Sequence, residues 1–305
     1  MQRNRIRRSE LSTPASSPKM IGQAAASEAD FAFLDLEDAV APDQKVQARQ
    51  NVIAGLNTQD WGRTTRGYRI NAVETPWCHD DLIEVITGAG ANVDIVIVPK
   101  IRTPREVWFV DDLLTQLEHK LGLEVGRIGL EVLIEEVEAL ASVNEIAKSS
   151  PRLEAMILGM GDLAGSQGMQ LGHIGVTDSA ANDVWYYARS QMIIAARVAG
   201  IDAIDGVYAD FRNPDGFRQA AAEFATLGGV GKWCIHPSQV ALANEAYAPS
   251  EAAIAEAASV VAAMGQAIAD GKGAANHNGM MIDAASVRAF QVTLDRARMC
   301  GLAIH

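Results

Sequence analysis

Apolar and polar positions along the chain fall into alternating blocks. Short runs rich in Val, Ile and Leu, bounded by Gly, Pro, Asn or Asp, recur at Glu10–Thr13, Phe31–Leu36, Gly67–Asn71, Asp94–Pro99, Arg127–Ile134, Ala155–Gly159, Ala203–Val207 and Gly231–Ile235. Several are almost unbroken, as in Asp94-Ile-Val-Ile-Val-Pro99, which is how a strand buried on both faces reads. The segments between them space their apolar residues for amphipathic helices at Pro18–Ser27, Gln44–Leu56, His79–Ala89, Pro104–Leu121, Glu136–Ser149, Asn182–Ala199, Pro214–Leu227 and Ser238–Ala246. Pro18, Pro104 and Pro214 sit where first-turn prolines belong. Strand–helix alternation throughout implies parallel βαβ units. Eight such units predict an α/β chain folded as a (β/α)₈ TIM barrel, whose usual size is about 250 residues. A doubly wound open sheet is the rival, but no Gly-x-Gly-x-x-Gly follows the first strand.

The last part of the chain breaks the rhythm. Residues 249–271 are Ala-rich and helical in pattern, 271–279 form a Gly/Asn/His-rich loop, and a final helix is expected from about Ala284 to Gly301. The expected division is therefore a catalytic barrel over 1–247 and a helical extension over 248–305. A lone helix pair is too small to be stable by itself, so the extension should pack on the barrel or on a neighbouring subunit.

Composition narrows the function. With 49% hydrophobic residues in a 305-residue chain, a large core is available. A net charge of −12 excludes a duplex nucleic-acid binder, which needs a basic face, but leaves room for an anionic small ligand held locally. No run of about 18 apolar residues is read as a membrane span. The basic N-terminus (Arg3, Arg5, Arg7, Arg8) lacks the apolar region of a secretory signal, and Cys78, Cys234 and Cys300 form neither a disulfide framework nor a zinc pattern. The expected location is the cytoplasm.

In a (β/α)₈ barrel the chemistry gathers where the strands end. Polar residues stand at that end of nearly every strand: Asp35, Glu37 and Asp38 after the second, Arg69 and Asn71 in the third, Lys100 after the fourth, Glu135 and Glu136 after the fifth, Gly161 and Asp162 after the sixth, Asp205, Tyr208 and Asp210 near the seventh, His236 after the eighth. Glu135 and Asp162 end adjacent strands, and their carboxylates could share a hard cation such as Mg²⁺; a salt-bridge pair at the rim is the other reading. Arg69, inside an apolar strand, must face carboxylates or an anionic substrate; the structural reading is a buried pair with Glu37 or Asp38, and the two roles can coexist. Glu37 is expected to support these groups from behind, and Asp38 to lie at the rim or cap a helix. His236 reads first as a hydrogen-bonded rim histidine. Ser16 and Ser17 before the first helix suit either N-capping or a phosphate cradle.

As a set, Phe33-Leu-Asp-Leu-Glu-Asp-Ala-Val-Ala-Pro42, Tyr68-Arg-Ile-Asn71, Val98-Pro-Lys100, Val132-Leu-Ile-Glu135, Gly161-Asp162 with Ser166-Gln-Gly-Met169, and Lys232-Trp-Cys-Ile-His-Pro-Ser-Gln239 resemble the citrate lyase β-subunit-like branch of the HpcH/HpaI aldolase superfamily. Within it the resemblance is greatest to malyl-CoA and β-methylmalyl-CoA lyases, and it extends to Gly279-Met-Met-Ile-Asp283 in the tail. The resemblance implies a Mg-dependent carbon–carbon lyase, with Mn²⁺ as the alternative metal and a coenzyme A thioester as substrate. It implies reversible Claisen-type cleavage of malyl-CoA or β-methylmalyl-CoA to acetyl- or propionyl-CoA and the 2-oxo acid glyoxylate. It also implies a homotrimer or hexamer with each active site completed in trans. Carried over by position, Glu135 and Asp162 match the metal ligands, and Arg69 the arginine on the 2-oxo acid. Asp283 matches a catalytic aspartate from the adjacent subunit, although its own surroundings read only as a helix N-cap. Gly161, Asp162, Ile235 and His236 match substrate-contacting positions.

The chain departs from the family pattern in two places. Pro14-Ala15-Ser16 stands where Pro-Gly-Ser is common, and Ser17 and Gln23 stand where some members place basic residues on the CoA phosphates; Lys19 and the N-terminal arginines are the candidate substitutes. The segment 169–183 also reads as a short loop. The alternatives at this point are a malyl-CoA thioesterase, a citramalyl-CoA lyase, a CoA-independent 2-oxo-acid aldolase, and a citrate lyase β-type subunit of a larger complex.

Overall fold

The computed structural model describes residues 5–170 and 184–304. Eight parallel strands close into a barrel in sequence order: β1 (Ser9–Pro14), β2 (Phe31–Asp35), β3 (Thr65–Arg69), β4 (Ile95–Val98), β5 (Gly129–Ile134), β6 (Leu153–Leu158), β7 (Asp202–Asp205) and β8 (Gly231–Cys234), with β8 hydrogen-bonded back to β1. Closure disposes of the open-sheet rival. Each strand lies within a residue or two of its expected place. The strands read as apolar runs because both faces are covered: β4, β5 and β6 are buried along their whole length.

The helices of this unit are α1 (Pro18–Ala25), α2 (Lys45–Thr58), α3 (Cys78–Ala89), α4 (Pro104–Leu121), α5 (Val137–Ala141), α6 (Val143–Ile146), α7 (Met160–Gln167), α8 (Tyr186–Ala199), α9 (Pro214–Leu227) and α10 (Ser238–Ala246). Helix α4 shows how local chemistry sets the ends. Thr103 and Glu106 form a capping box, Pro104 opens the first turn, and Gly122 closes the helix at φ 68°. The interior of the barrel is filled by Phe31, Phe33, Ile95, Ile97, Leu133, Ala155, Ile157, Ile204, Val230 and Trp233. Strands approach closely at Gly67, where a Cβ would fall on the carbonyl of Ile95.

Two expectations need correction here. The single helix expected over 136–149 is two short ones, parted at Ser142, whose backbone (φ −103°, ψ 15°) leaves helical geometry. Gly161 and Asp162, expected in a loop at the end of the sixth strand, lie in the first turn of α7, which the sequence reading lacked. The remainder of the 169–183 loop expectation falls on 171–183, outside the described residues.

The chain divides into two compact units, 1–245 and 246–305. The second is built on α11 (Glu251–Ala269) and α12 (Ala284–Met299), which pack through Ile254, Ala257, Leu294 and Ala297. The stretch Ser238–Ala269 is long and apolar enough to pass for a membrane span, which the sequence reading had not found. Its apolarity comes largely from alanine, and its stripe Ile254, Ala257, Val260, Met264 and Ala267 is buried within this unit. The expected loop 271–279 instead contains most of a hairpin, β9 (Ala275–His277) against β10 (Met280–Ile282). Its turn is Asn278-Gly279 with φ 51° and 83°, the left-handed pair that tight hairpins favour.

Candidate active site

Of the polar residues expected at the strand ends, Asp35, Glu37, Asp38, Arg69, Lys100, Glu135 and Asp162 are linked at the C-terminal mouth of the barrel, whereas Asn71 bonds to Asp81 on α3 and Asp205 to Arg189 on α8 and Lys232. Arg69 is the last residue of β3, and Asp35, the last of β2, is its register partner. The guanidinium donates to both Asp35 oxygens, Nε to Oδ1 at 2.7 Å and Nη2 to Oδ2 at 2.6 Å. Nη1 pairs with Glu37 Oε2 at 2.7 Å. Burial opposes charge on Asp35. The Arg69 guanidinium nevertheless holds its carboxyl below the usual range, helped by the N–H groups of Glu37 and Ala39. Sequence reasoning offered Glu37 or Asp38 as Arg69's partner and did not single out Asp35. The signal was present: Asp35 continues the Phe31, Phe33 alternation, so it points into the barrel.

Lys100 ties the next three groups together. Its backbone is left-handed (φ 50°), rare for a lysine and costing about 1–3 kcal/mol. In that conformation its N–H donates to Glu135 Oε1 at 2.7 Å while its ammonium reaches Glu37 at 2.5 Å, Asp38 at 3.2 Å and Asp162 at 4.0 Å. Glu37 thus contacts both the Arg69 guanidinium and the Lys100 ammonium. Asp38 is an exposed rim group and caps no helix, since the turn that follows is preceded by Ala41.

Glu135 is 1% exposed. Burial pushes its carboxyl up to about 8; Arg69 pulls it down, while the charges of Asp162 and Glu37 push it further up. Room for it comes from Gly159 at the end of β6, where a Cβ would fall on the Glu135 side chain. Asp162 stands three residues on from that glycine, at an exposed position in the first turn of α7. Among the described residues no three His, Cys, Asp or Glu side chains form a ready-made metal cage. Two carboxylates near one another are enough for Mg²⁺, which usually keeps waters and takes its remaining ligands from substrate. A buried carboxyl repelled by two acidic neighbours, beside an exposed one, is a donor set a dication would relieve.

The other expected contacts are placed as follows. The main-chain N–H groups of Ile235 and His236 both donate to Gln239 Oε1, at 2.8 and 3.3 Å, so they are engaged within their own turn. The His236 ring stacks on Phe211 (4.8 Å, 17°), and its Nδ1 lies 2.8 Å from the Ser238 hydroxyl. Ser17 caps α1, while Gln23 and Lys19 are exposed. Asp283 belongs to the second unit and caps α12, accepting at Oδ1 from the N–H groups of Ala285 (2.9 Å) and Ser286 (3.0 Å). The Ser286 bonds, chiefly, hold its carboxyl below the usual range.

The chain is 42% identical to the L-malyl-CoA/β-methylmalyl-CoA lyase of Cereibacter sphaeroides, over 97% of this chain and 96% of that one. The lyase of the same description from Rhodobacter capsulatus is also 42% identical over the same shares. The fold matches the crystal structure of CitE from Mycobacterium tuberculosis in complex with magnesium, acetoacetate and coenzyme A, with a TM-score of 0.76, 29% identity, and 95% of this chain and 97% of that one covered. Residues 8–237, the barrel with its whole strand-end cluster, match one family description, and the chain belongs to the HpcH/HpaI aldolase/citrate lyase family.

Proposed function

We propose that the chain is a CoA-ester carbon–carbon lyase. It cleaves malyl-CoA or β-methylmalyl-CoA reversibly to acetyl- or propionyl-CoA and glyoxylate. One observation carries the reading: a fully engaged arginine and a buried, electrostatically frustrated glutamate share the open mouth of the barrel. That mouth occurs in a chain 42% identical, nearly end to end, to lyases of that description.

In this reading Glu135 and Asp162 hold a Mg²⁺ ion, as the donor set permits. When bound, the ion supplies Lewis acidity beside the 2-oxo acid oxygens. Arg69, fixed by Asp35 and Glu37, presents positive charge to the same oxygens and orients them. Lys100 neutralises Glu37 and Asp38, so that the rim does not repel an anionic substrate. In cleavage, the carboxylate of Asp283 takes the proton of the substrate hydroxyl. The carbon–carbon bond breaks, its electron pair moves to the carbon beside the thioester carbonyl, and the oxygen closes to the carbonyl of glyoxylate. The carbon that received the pair then takes a proton to give the acyl-CoA. Like any solvent-accessible aspartate, Asp283 is ionised at neutral pH, and its side-chain N-cap bonds all fall on Oδ1. Asp283 serves the site of a neighbouring subunit in a homotrimer or hexamer in the cytoplasm, with the second unit acting as a lid.

The test is to incubate the purified protein with Mg²⁺ and malyl-, β-methylmalyl- and citramalyl-CoA and to identify the products by mass spectrometry. Glyoxylate with acetyl- or propionyl-CoA is the expected outcome. Free CoA with intact malate would make the chain a thioesterase, and no turnover of any free CoA ester would sink the reading.

A further inference from the structure

We propose that Trp233 is a positioning residue that seats the Arg69 guanidinium, and that Glu10 locks Trp233 in the orientation this needs. The proposal rests on the reading of Arg69 as the group that meets the 2-oxo acid.

Trp233 lies in the apolar filling of the barrel, 6% exposed, with its ring against Phe33 (4.7 Å between centroids). The Arg69 guanidinium carbon stands 5.5 Å from the centre of the indole. Asp35 holds that guanidinium at Nε and Nη2 and Glu37 at Nη1, contacts that fix it within its own plane and leave freedom perpendicular to that plane. An aromatic face against the guanidinium removes that freedom and adds cation–π attraction, which is worth most where water is excluded.

The orientation of the indole is itself fixed. An indole N–H inside an apolar barrel must find an acceptor. It donates to Glu10 Oε2 at 2.8 Å. Glu10 is the register partner of Trp233 in the β1–β8 pairing, so the bond spans the seam where the barrel closes. Glu10 is fully buried, and its other oxygen, Oε1, has no hydrogen-bond partner. A carboxyl group is an expensive way to fill such a position, and a hydrocarbon would suit the surroundings better. What offsets the cost is the bond to the indole together with the attraction of the Arg7 charge. Burial, chiefly, and the neighbouring Glu131 charge raise the carboxyl well above its usual range, while Arg7 and the indole bond oppose them.

The experiment compares Trp233→Leu, Trp233→Phe, Glu10→Leu and Glu10→Gln in the full-length chain, with steady-state kinetics in the condensation direction. Trp233→Leu should raise KM for glyoxylate about 10-fold, the size of a desolvated cation–π contact, and lower kcat, while KM for the acyl-CoA stays within about 2-fold. Trp233→Phe keeps an aromatic face without its tether, and Glu10→Leu keeps the indole without its acceptor; each should raise KM for glyoxylate about 3-fold. Glu10→Gln keeps an acceptor and should return to within about 2-fold of the parent chain. A folded Trp233→Leu protein with unchanged KM for glyoxylate, or with both KM values raised equally, overturns the proposal. If Trp233→Leu fails to fold, the same split read on Trp233→Phe and the Glu10→Leu, Glu10→Gln pair decides it. Should the parent chain show no lyase activity, the functional reading fails separately. The positioning claim is then decided by the crystal structure of Trp233→Leu or Trp233→Phe, where Arg69 should leave its seat and an unmoved guanidinium overturns it.

Discussion

Each end of this barrel buries an arginine among carboxylates, and the two ends use the arrangement differently. At the N-terminal end Arg7, 1% exposed, donates to Glu131 at 2.8 Å, pairs with Glu154, and lies 3.3 Å from Asp202. At the C-terminal end Arg69 is held by Asp35 and Glu37. One strand serves both ends: Glu131 is in β5 and Glu135 follows it, four positions on and therefore on the same face. The N-terminal carboxylates project from strands whose positions hydrogen bonding dictates. At the mouth, Asp38 and Asp162 come from a loop and a helix turn, are 57% and 44% exposed, and are linked by a lysine ammonium rather than a fixed guanidinium. Charge inside a strand frame holds the fold together, whereas charge carried on the segments beyond the strands stays open to an incoming ligand.

The largest effect that would sharpen the contrast is at Glu135. Glu135→Gln should lower kcat/KM by about 1000-fold, because a ligand of the cation and a neighbour of Arg69 lose their charge together. Removing a carboxyl that burial disfavours should leave Tm unchanged or raise it by a few degrees, about what such a trade-off yields. Parallel losses of activity and Tm would mean that the mouth is a structural ion-pair network like the other end. The converse substitution is Arg7→Met. It strands the buried Glu131 without its cation, leaves Glu154 with Arg5 alone, and should cost about 3–5 kcal/mol in chemical denaturation, with kcat of the folded fraction unchanged. Asp283→Asn should lower kcat by about 100-fold while calorimetric Mg²⁺ affinity stays at the parent value. Equal loss of turnover and metal affinity would remove Asp283 from the proton-transfer role.

The strands and the C-terminal side of this contrast were legible in the sequence, for a physical reason, whereas the Arg7 network at the other end was not. Unbroken apolar strands and first-turn prolines are local signals, and they located all eight strands and the starts of α1, α4 and α9. The strand-end rule then gathered Arg69, Glu135 and Asp162 without any coordinates. What escaped depended on which groups meet across strands. Asp35 was passed over for Glu37 and Asp38 because a single strand does not reveal its register partner. Helix α7 was missed because Met160-Gly161-Asp162 reads as loop when its first turn is counted as strand end. The Glu10–Trp233 bond joins residues 223 positions apart, across a seam only closure creates. The hairpin turn Asn278-Gly279 is the opposite case, a strong local signal overlooked because the surrounding residues looked like a linker. Asp283 shows the limit of local reading: the N-cap expected from its pattern is present, and nothing in that geometry distinguishes a cap from a base.

The smallest expected effect separates the two ends by pH. Burial first, and then acidic neighbours opposed by Arg7, raise Glu131 to about 7; burial and its acidic neighbours raise Glu135 to about 8. Both start from an ordinary value near 4.5 in the unfolded chain. Between those limits the folded protein binds more protons than the unfolded one, so stability is fullest below about pH 4.5 and is lost as pH rises through 7 and 8. Without metal, Tm should therefore fall by several degrees, roughly, between pH 5 and pH 8.5. Saturating Mg²⁺ favours the ionised form of Glu135 and should remove the upper part of that decline, the part that Glu135→Gln also removes. It cannot reach Glu131, enclosed at the far end of the same strand, so the decline near pH 7 should persist. A Tm profile that Mg²⁺ leaves untouched at every pH would take the metal away from Glu135. A profile flattened throughout would mean that the two ends are not electrostatically separate.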